Sequence, residues 1–574
     1  MKKALLLIHL LWVTALVFSR PCPASDHRFP FALGGTGQAY GKAVATDPQG
    51  NLIVAALFDT ALDADPGPGE TRLASSGGID ILLVKYTPSG ELRWAKVLGG
   101  AQSVDAPHGV STDDEGNIYL TGYFGMEGQA GRTADFDPGP GSLTLTAVGG
   151  FDAFLAKYDP DGGVLWALPL GNSLGQTEER GWDLSVDHQG NVFVTGAFSG
   201  NMNSNPLGEP RIVSCPGAGV GLFVGKYSPG GLNLWAKGIG ANLQDVFSEG
   251  YAAVSATADG GCLLGGNYRE TVCLDPPQDL RCLTSRGGVD IFAARYEPDG
   301  SCRWAISLGG TSRDLLSPGA LRNTASGGFL VTGHFTGNCD FDPGPATHEL
   351  ACLGTADDVF VGAYSESGSL ARVFSIPCDG GISGGHRIQE DPQGGIVVAG
   401  WFSGKADFAP GSALRELSSQ GGGGAADAFL ARYTPAGELS WVGGFGAAVQ
   451  GGDKLSIAAG LSVDARGNAF ITGKFYGSGA DFDPSPSTAP LTATGAYSAF
   501  VSAYASSGSL GPALEPTRGD LDGDGMVTAS DAVLLAFLLA GGSLDPVSAG
   551  AADLQGDKRV DALDLVLLNL LLSE

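Results

Sequence analysis

The chain has 574 residues, more than one hydrophobic core ordinarily supports, so several domains or a repeat architecture are expected. Its 92 Gly, 32 Pro and 16% charged residues suit many short strands joined by tight turns and leave few positions for long solvated helices. The formal charge of −28 argues against a basic surface for nucleic acid or anionic lipid, and the expectation is an acidic, extracellular or cell-surface monomer.

At the N-terminus Lys2-Lys3 precede an apolar run from Ala4 to Phe18 and then small, turn-forming residues around Ser19 to Ser25. This is the pattern of a secretory signal peptide over residues 1–25, cleavable after Ser19 or Ala24. The run is short for a bilayer, and no later stretch supplies about 20 uninterrupted apolar residues, so no membrane span is expected. Ser19-Arg20-Pro21 before Cys22 lacks the small and aliphatic residues of a lipid-attachment site.

From residue 36 to 513 a unit of about 68 residues recurs seven times. One marker is an alternating strand after a tight turn, as in Gly116-Asn117-Ile118-Tyr119-Leu120-Thr121-Gly122, Gly190-Asn191-Val192-Phe193-Val194-Thr195-Gly196 and Gly467-Asn468-Ala469-Phe470-Ile471-Thr472-Gly473. A second is a strand and hairpin such as Asp152 to Gly162 running into Val164-Leu165-Trp166-Ala167, which recurs at Asp80, Asp290 and Asp427. Trp94, Trp166, Trp235, Trp304 and Trp441 share one repeat position, with Phe374 standing in once, and one bulky ring per unit reads as packing between adjacent sheets.

Each unit supplies four short strands, a to d, and four-stranded sheets repeated radially make a propeller. The last unit lacks its fourth strand, ending in Ser509-Leu510-Gly511-Pro512. Residues 28–35 precede the first unit and match Trp94 to Gly100, so an N-terminal strand is expected to complete the last sheet, closing a seven-bladed, all-β ring over residues 26–513 and removing its open edges. The units resemble the bacterial SBBP β-propeller repeat, with its D-x-x-G-N-x-Y-x-T-G pattern followed by D-F-D-P-G. That resemblance implies a propeller in an exported or surface protein and assigns no role.

Between strands b and c most units carry Asp-x-Asp-Pro, at Asp63, Asp135, Asp340 and Asp481. Paired carboxylates suit calcium, but that ion takes six to eight oxygens, and Asp and Pro initiate turns without any metal. Of nine cysteines, eight lie between Cys215 and Cys378. An exported protein favours disulfides, and Cys273–Cys282 and Cys339–Cys352, each across one hairpin, are the preferred pairs. Cys262 and Cys302 begin strands b and d of one sheet, roughly 9.6 Å apart and beyond disulfide reach.

After Pro516 two loop-helix segments follow, over residues 514–574. The first loop places Asp520, Asp522, Asp524, the Met526 carbonyl and Asp531 at EF-hand ligand spacing, with Gly525 at the sharp turn. The second repeats that spacing with Asp553, Gln555, Asp557, Arg559 and Asp564, and weaker calcium binding is expected there. Apolar helices follow near Ala532 to Ala540 and Leu565 to Leu572. The duplicated segments resemble a type I dockerin, which implies calcium (Ca2+) as cofactor and a cohesin-like domain as partner.

Five residues before each a–b turn stand Lys42, His108, Trp182, Ala252, Gly319, His386 and Ala459, side chains expected on one ring near one face. Lys42, His108, Trp182 and His386 are therefore the candidate ligand-binding set. No zinc signature, nucleophile elbow or phosphate loop is present, and no catalytic residue is assigned. The leading expectation is a non-catalytic binding or scaffold protein for a cell-surface or polysaccharide ligand. Its rivals are a polysaccharide-acting hydrolase or lyase and a structural component of the cell envelope.

Overall fold

A computed structural model describes residues 29–510 apart from 172–177, 217–218, 244–250, 276–280, 353–356, 410–413, 423, 450, 452–453 and 486. The expected signal peptide at 1–25 and the expected loop-helix module at 514–574, with all its expected calcium ligands, lie outside the described residues. Within them every regular element is a β-strand, arranged in a propeller-like β fold.

Each repeat builds an antiparallel meander. In one, Ala106–Thr112, Ile118–Gly125, Phe151–Tyr158 and Val164–Leu170 lie side by side in chain order. The same order recurs in the sheets that begin at Ala39–Thr46, Arg180–Val186, Ala252–Ala256 and Ser383–Glu390. One unit departs from it: its first strand is split into Asp314–Leu315 and Leu321–Asn323, which both pair with Phe329–Phe335. The last meander, Ile457–Val463, Ala469–Phe475 and Ser498–Tyr504, receives Phe31–Leu33 as its fourth strand. Phe31 faces Val501, Ala32 faces Phe500 and Leu33 faces Ala499, the head-to-tail pairing expected from the truncated last repeat. First strands of successive units touch in order, and Ile457–Val463 touches Ala39–Thr46.

The repeat signature translates directly into bonds. At the a–b turn Asp113 accepts the Asn117 backbone N–H at 2.8 Å and its side-chain N–H at 2.9 Å. Asp47, Asp187 and Asp464 do the same for Asn51, Asn191 and Asn468. Gly116 there has φ 81°, a left-handed conformation that other residues adopt at a cost. The Lys of strand c reaches back to the same carboxylate, Lys85 to Asp47 at 2.9 Å and Lys157 to Asp113 at 3.3 Å, with both partners buried.

The Thr-Gly pair of strand b has two distinct duties. Thr121, Thr195, Thr332 and Thr472 donate their hydroxyls across the sheet to the carbonyls of Phe154, Phe223, Phe360 and Phe500 at 2.6–2.7 Å. The glycine leaves room for strand a, because a β-carbon on Gly122, Gly196 or Gly473 would collide with the carbonyl of Ala106, Arg180 or Ile457. Gly473→Ala is accordingly expected to cost about 2 kcal/mol by overpacking, read as a lowered melting temperature. An unchanged transition would mean that strand a can retreat freely.

The core sits between neighbouring sheets. Ile53 and Ala55 of one unit pack with Phe124 and Phe154 of the next, and Phe29 and Phe31 pack with Val54, Val84 and Tyr86 across the junction of the chain ends. The repeated tryptophans occupy the expected inter-sheet position and add a hydrogen bond to it. Trp94, Trp166, Trp235, Trp304 and Trp441 donate Nε1–H to carbonyls of the following unit, at Pro160, Pro229, Pro298, Glu366 and Ser506, over 3.0–3.2 Å. Where Phe374 lacks that donor, Arg372 takes its place, bonding the Pro435 carbonyl at 2.7 Å.

The acidic hairpins are turns. Asp135 accepts backbone N–H groups of Asp137 and Leu143, and Asp340 and Asp481 repeat this two and eight residues onward. Asn203 makes the same pair of bonds without any carboxylate. A strand-c tyrosine then pins the hairpin, as Tyr158 does to the Phe136 carbonyl at 3.2 Å. Among the described residues no group of three or more His, Cys, Asp or Glu is placed to hold a metal ion.

Of the two expected disulfides, Cys273–Cys282 forms and Cys339–Cys352 does not. Cys273 stands directly opposite Cys282 in the ladder, whereas Cys339 stands opposite Leu350, putting Cys352 one diagonal step away. Diagonal neighbours lie about 7–8 Å apart, too far for a bridge. Cys262 and Cys302 both face Tyr296 from opposite sides and remain buried thiols, as their separation requires.

Candidate functional site

Strand a is not regular, and its irregularity recurs at one place. Gly41 pairs with Ala56 and Ala43 with Ala55, so Lys42 is an extra residue between them. His108, Trp182, His386 and Ala459 are the extra residues at the corresponding register shifts of their own units. A β-bulge of this kind re-aims one side chain and bends the strand. Four of these five positions carry the side chains singled out from sequence. Ala252 instead begins a strand without a register shift, and Gly319 lies in the break of the split strand.

The structure brings these residues together. The His108 ring meets Trp182 edge-on at 4.4 Å and lies 5.5 Å from Tyr123, while Trp182 meets Tyr251 at 5.1 Å. Trp182 is 2% exposed, yet its Nε1–H has no hydrogen-bond partner. Lys42 stands over the Tyr40 ring at 4.3 Å. Lys474 lies within 5.0–5.5 Å of the rings of Tyr40, Tyr476 and Tyr497. His386 hydrogen-bonds the backbone of Ala459, the bulged residue of the next unit, and its Nδ1 is buried without a partner.

One residue beyond the bulge, Arg387 crosses from its own strand towards three other units. Its Nη2 lies 3.4 Å from the carbonyls of both Lys42 and His108, and its side chain lies over Gly319. Beside it Arg322 grips Asp183 with two bonds of 2.8 and 3.1 Å, tying together sheets that are not neighbours. Fully buried Arg180 stacks over Tyr123 at 4.1 Å and Phe151 at 4.4 Å and pairs with Glu178 at 3.1 Å.

In a chain of charge −28, this is a concentration of cations. Burial, then the neighbouring Lys474, Arg387 and Arg180, pull the Lys42 ammonium down to about 7. Burial likewise lowers Arg387 to about 10, against the opposing pull of Asp183. His108 and His386 are held well below their ordinary value, first by burial and then by Lys42 and Arg387 among other cations, so both are neutral at physiological pH. Lys42 and Lys474 make no ion pair among the described residues.

Sequence reasoning missed Tyr40, Arg180, Tyr251, Arg387 and Lys474. A signal for part of this set existed, because the residue after the strand-b Thr-Gly pair also varies among units, being Tyr123, His334 and Lys474 in three of them. Those side chains are partly exposed.

Residues 518–573 match the family described as Dockerin type I domain, and residues 93–123 match the Beta-propeller repeat of the SBBP type. The chain thus carries an SBBP β-propeller repeat and a C-terminal dockerin type I domain. It is 30% identical over 162 residues to an uncharacterized WD repeat-containing protein of Acanthamoeba polyphaga mimivirus, covering 27% of this chain and about a tenth, 11%, of that protein. Among solved structures it is similar to a protein of unknown function from Bacteroides caccae, with TM-score 0.30, 10% identity, and 63% of this chain and 89% of that chain covered. It is also similar to the exotype rhamnogalacturonan lyase YesX, with TM-score 0.27, 12% identity and coverages of 84% and 75%. The V. cholerae biofilm matrix protein Bap1 is similar at TM-score 0.22 and 11% identity, with coverages of 82% and 91%.

Proposed function

We propose that this is an exported, non-catalytic binding protein whose propeller is a recognition platform and whose dockerin domain attaches it to a partner. The platform is a ring of seven four-stranded blades over residues 26–513, a reading supported by the seven sequence repeats and by the pairing of Phe31 with Val501. The observation that carries the functional reading is the bulge set. Lys42, His108, Trp182 and His386 vary at a position where the backbone repeats, and each is turned out of its ladder by the same irregularity. The dockerin domain supplies the attachment, through calcium held by Asp520, Asp522, Asp524, Met526 and Asp531 and by Asp553, Gln555, Asp557, Arg559 and Asp564. Its partner would be a cohesin-like domain, and secretion follows from the residue 1–25 leader. No helix among the described residues is long and apolar enough to cross a membrane.

The test is a glycan array probed with the full chain beside a His108→Ala, Trp182→Ala variant, and calcium titration of the full chain beside Asp520→Ala, Asp553→Ala. Glycan capture lost in the first variant and calcium uptake lost in the second are expected. Capture retained at full strength in the first variant would remove the bulge set from the binding surface. One observation favours a polysaccharide-acting enzyme: Lys42, with its value near 7, sits in the range of a general base. Shortened glycan products, abolished by Lys42→Met, would replace the binding reading with that one.

A further inference from the structure

We infer that the bulge site takes a carboxylate-bearing saccharide, a uronate, with its acid group between Lys42 and Lys474; this rests on the reading of that site as the recognition surface. Both ammonium groups stand among aromatic rings rather than carboxylates. The acids of the surrounding site are engaged elsewhere, Asp183 by Arg322 and Glu178 by Arg180, and buried Glu179 also has partners of its own. Gathering Lys42 and Lys474 beside Arg387, with no ion pair to either lysine among the described residues, costs folding free energy. An anion arriving between the two lysines removes that cost, which is a differential gain that a neutral ligand cannot collect.

The rest of the site suits a sugar ring rather than a bare anion. Tyr40, Tyr123 and Tyr251 are partly exposed, and the aromatic surface they leave open is apolar ground against which the C–H side of a pyranose can rest. Around them stand unspent hydrogen-bonding groups: the Trp182 Nε1–H, a donor only, and the Nδ1 of His386. Both atoms are buried, so a ring hydroxyl, both donor and acceptor, satisfies either kind once the aromatic side chains over them shift to admit it. The neutrality of both histidines keeps them able to accept such hydrogen bonds. The overall charge of −28 repels long polyanions, so the fit is to a short acidic oligosaccharide or a chain end.

The experiment is isothermal titration of the full chain with trigalacturonate, with its carboxyl methyl ester, with sodium sulfate and with a neutral oligosaccharide panel. The variants are Lys42→Gln with Lys474→Gln, and Trp182→Phe, which keeps a ring but loses the N–H. Thermal melting of each variant establishes that it is folded. Trigalacturonate is expected to bind and the ester to bind at least about tenfold more weakly, with a loss of about tenfold or more in the lysine double variant. Trp182→Phe should weaken binding severalfold. Equal binding of acid and ester, or undiminished binding by the folded double variant, overturns the uronate assignment. Sulfate binding as tightly as trigalacturonate also overturns it, leaving a simple anion site. Neutral glycans that bind and are lost in Trp182→Phe would overturn this inference and leave the platform standing, whereas silence across every glycan would overturn both.

Discussion

A chain from which residues 29–35 are deleted is expected to aggregate and to melt many degrees below the full protein. Phe29, Phe31 and Leu33 are each 5% exposed or less, and burial of such side chains is worth roughly 1.5–3 kcal/mol apiece. Their loss empties the space against Tyr86, Phe470 and Val501 in the cluster that joins the first and last units. The backbone loss is of another kind. Without Phe31–Leu33, the strand Ser498–Tyr504 becomes an edge with open N–H and C=O groups, a template for pairing with another chain. Size-exclusion chromatography and thermal melting of the purified protein read both effects. Phe31→Asp separates them, since it keeps the backbone while burying an unpaired charge, and it should destabilise with less aggregation. A deleted chain that stays monodisperse and melts with the full protein would show that the ring does not depend on its first strand.

Unfolding is expected to become easier as pH rises from about 5 to 8, the reverse of the usual behaviour of carboxylate-rich proteins. Burial holds Asp105 and Asp314 up to about 7 and Asp290 and Asp427 up to about 6, outweighing the backbone N–H groups they accept. An unfolded Asp releases its proton near pH 4, so between about 4 and 7 the folded chain carries protons that the unfolded chain has lost. Stability therefore falls as pH rises through that window. Repulsion among the excess carboxylates works in the same direction. Below about pH 4 the sign reverses. At Asp113 burial is outweighed by bonds from Asn117 and by Lys157, and at Asp340 by bonds from His348, Asp342 and Arg286, so both are held low and lose their partners' contribution on protonation. The neutral histidines His108 and His386 oppose this fall up to about pH 6.5, and Lys42, held at about 7, opposes it above that, so the aspartates leave a smaller net loss of stability from pH 5 to 8, on the order of 1–2 kcal/mol. Asp105→Asn should flatten the slope. A pH slope unchanged in Asp105→Asn would mean that this aspartate is already ionised in the folded protein.

Architecture was legible in this sequence because a propeller blade is a local object. Strand alternation, the Asp-Asn turn and the hairpin residues all act within one unit, so each of the repeats states the same structure again. The displaced strand around Phe31 was also legible, because its likeness to Trp94 to Gly100 filled the gap left after Tyr504. The second disulfide was not, since a single step of register separates a bridge from two thiols, and hairpin spacing alone does not set that step. The candidate site divides along the same line. Lys42, His108, Trp182 and His386 could be found by counting from the turn, a distance along one strand. That they are bulged, that Arg387 reaches the carbonyls of two other units and that Lys474 joins Lys42 over Tyr40 depend on contacts hundreds of residues apart. The order of chemical groups along the chain determined which strands form and where they turn. Only the joining of separate sheets around one axis decided which side chains share a space, because proximity there is set by curvature and register between strands rather than by sequence distance.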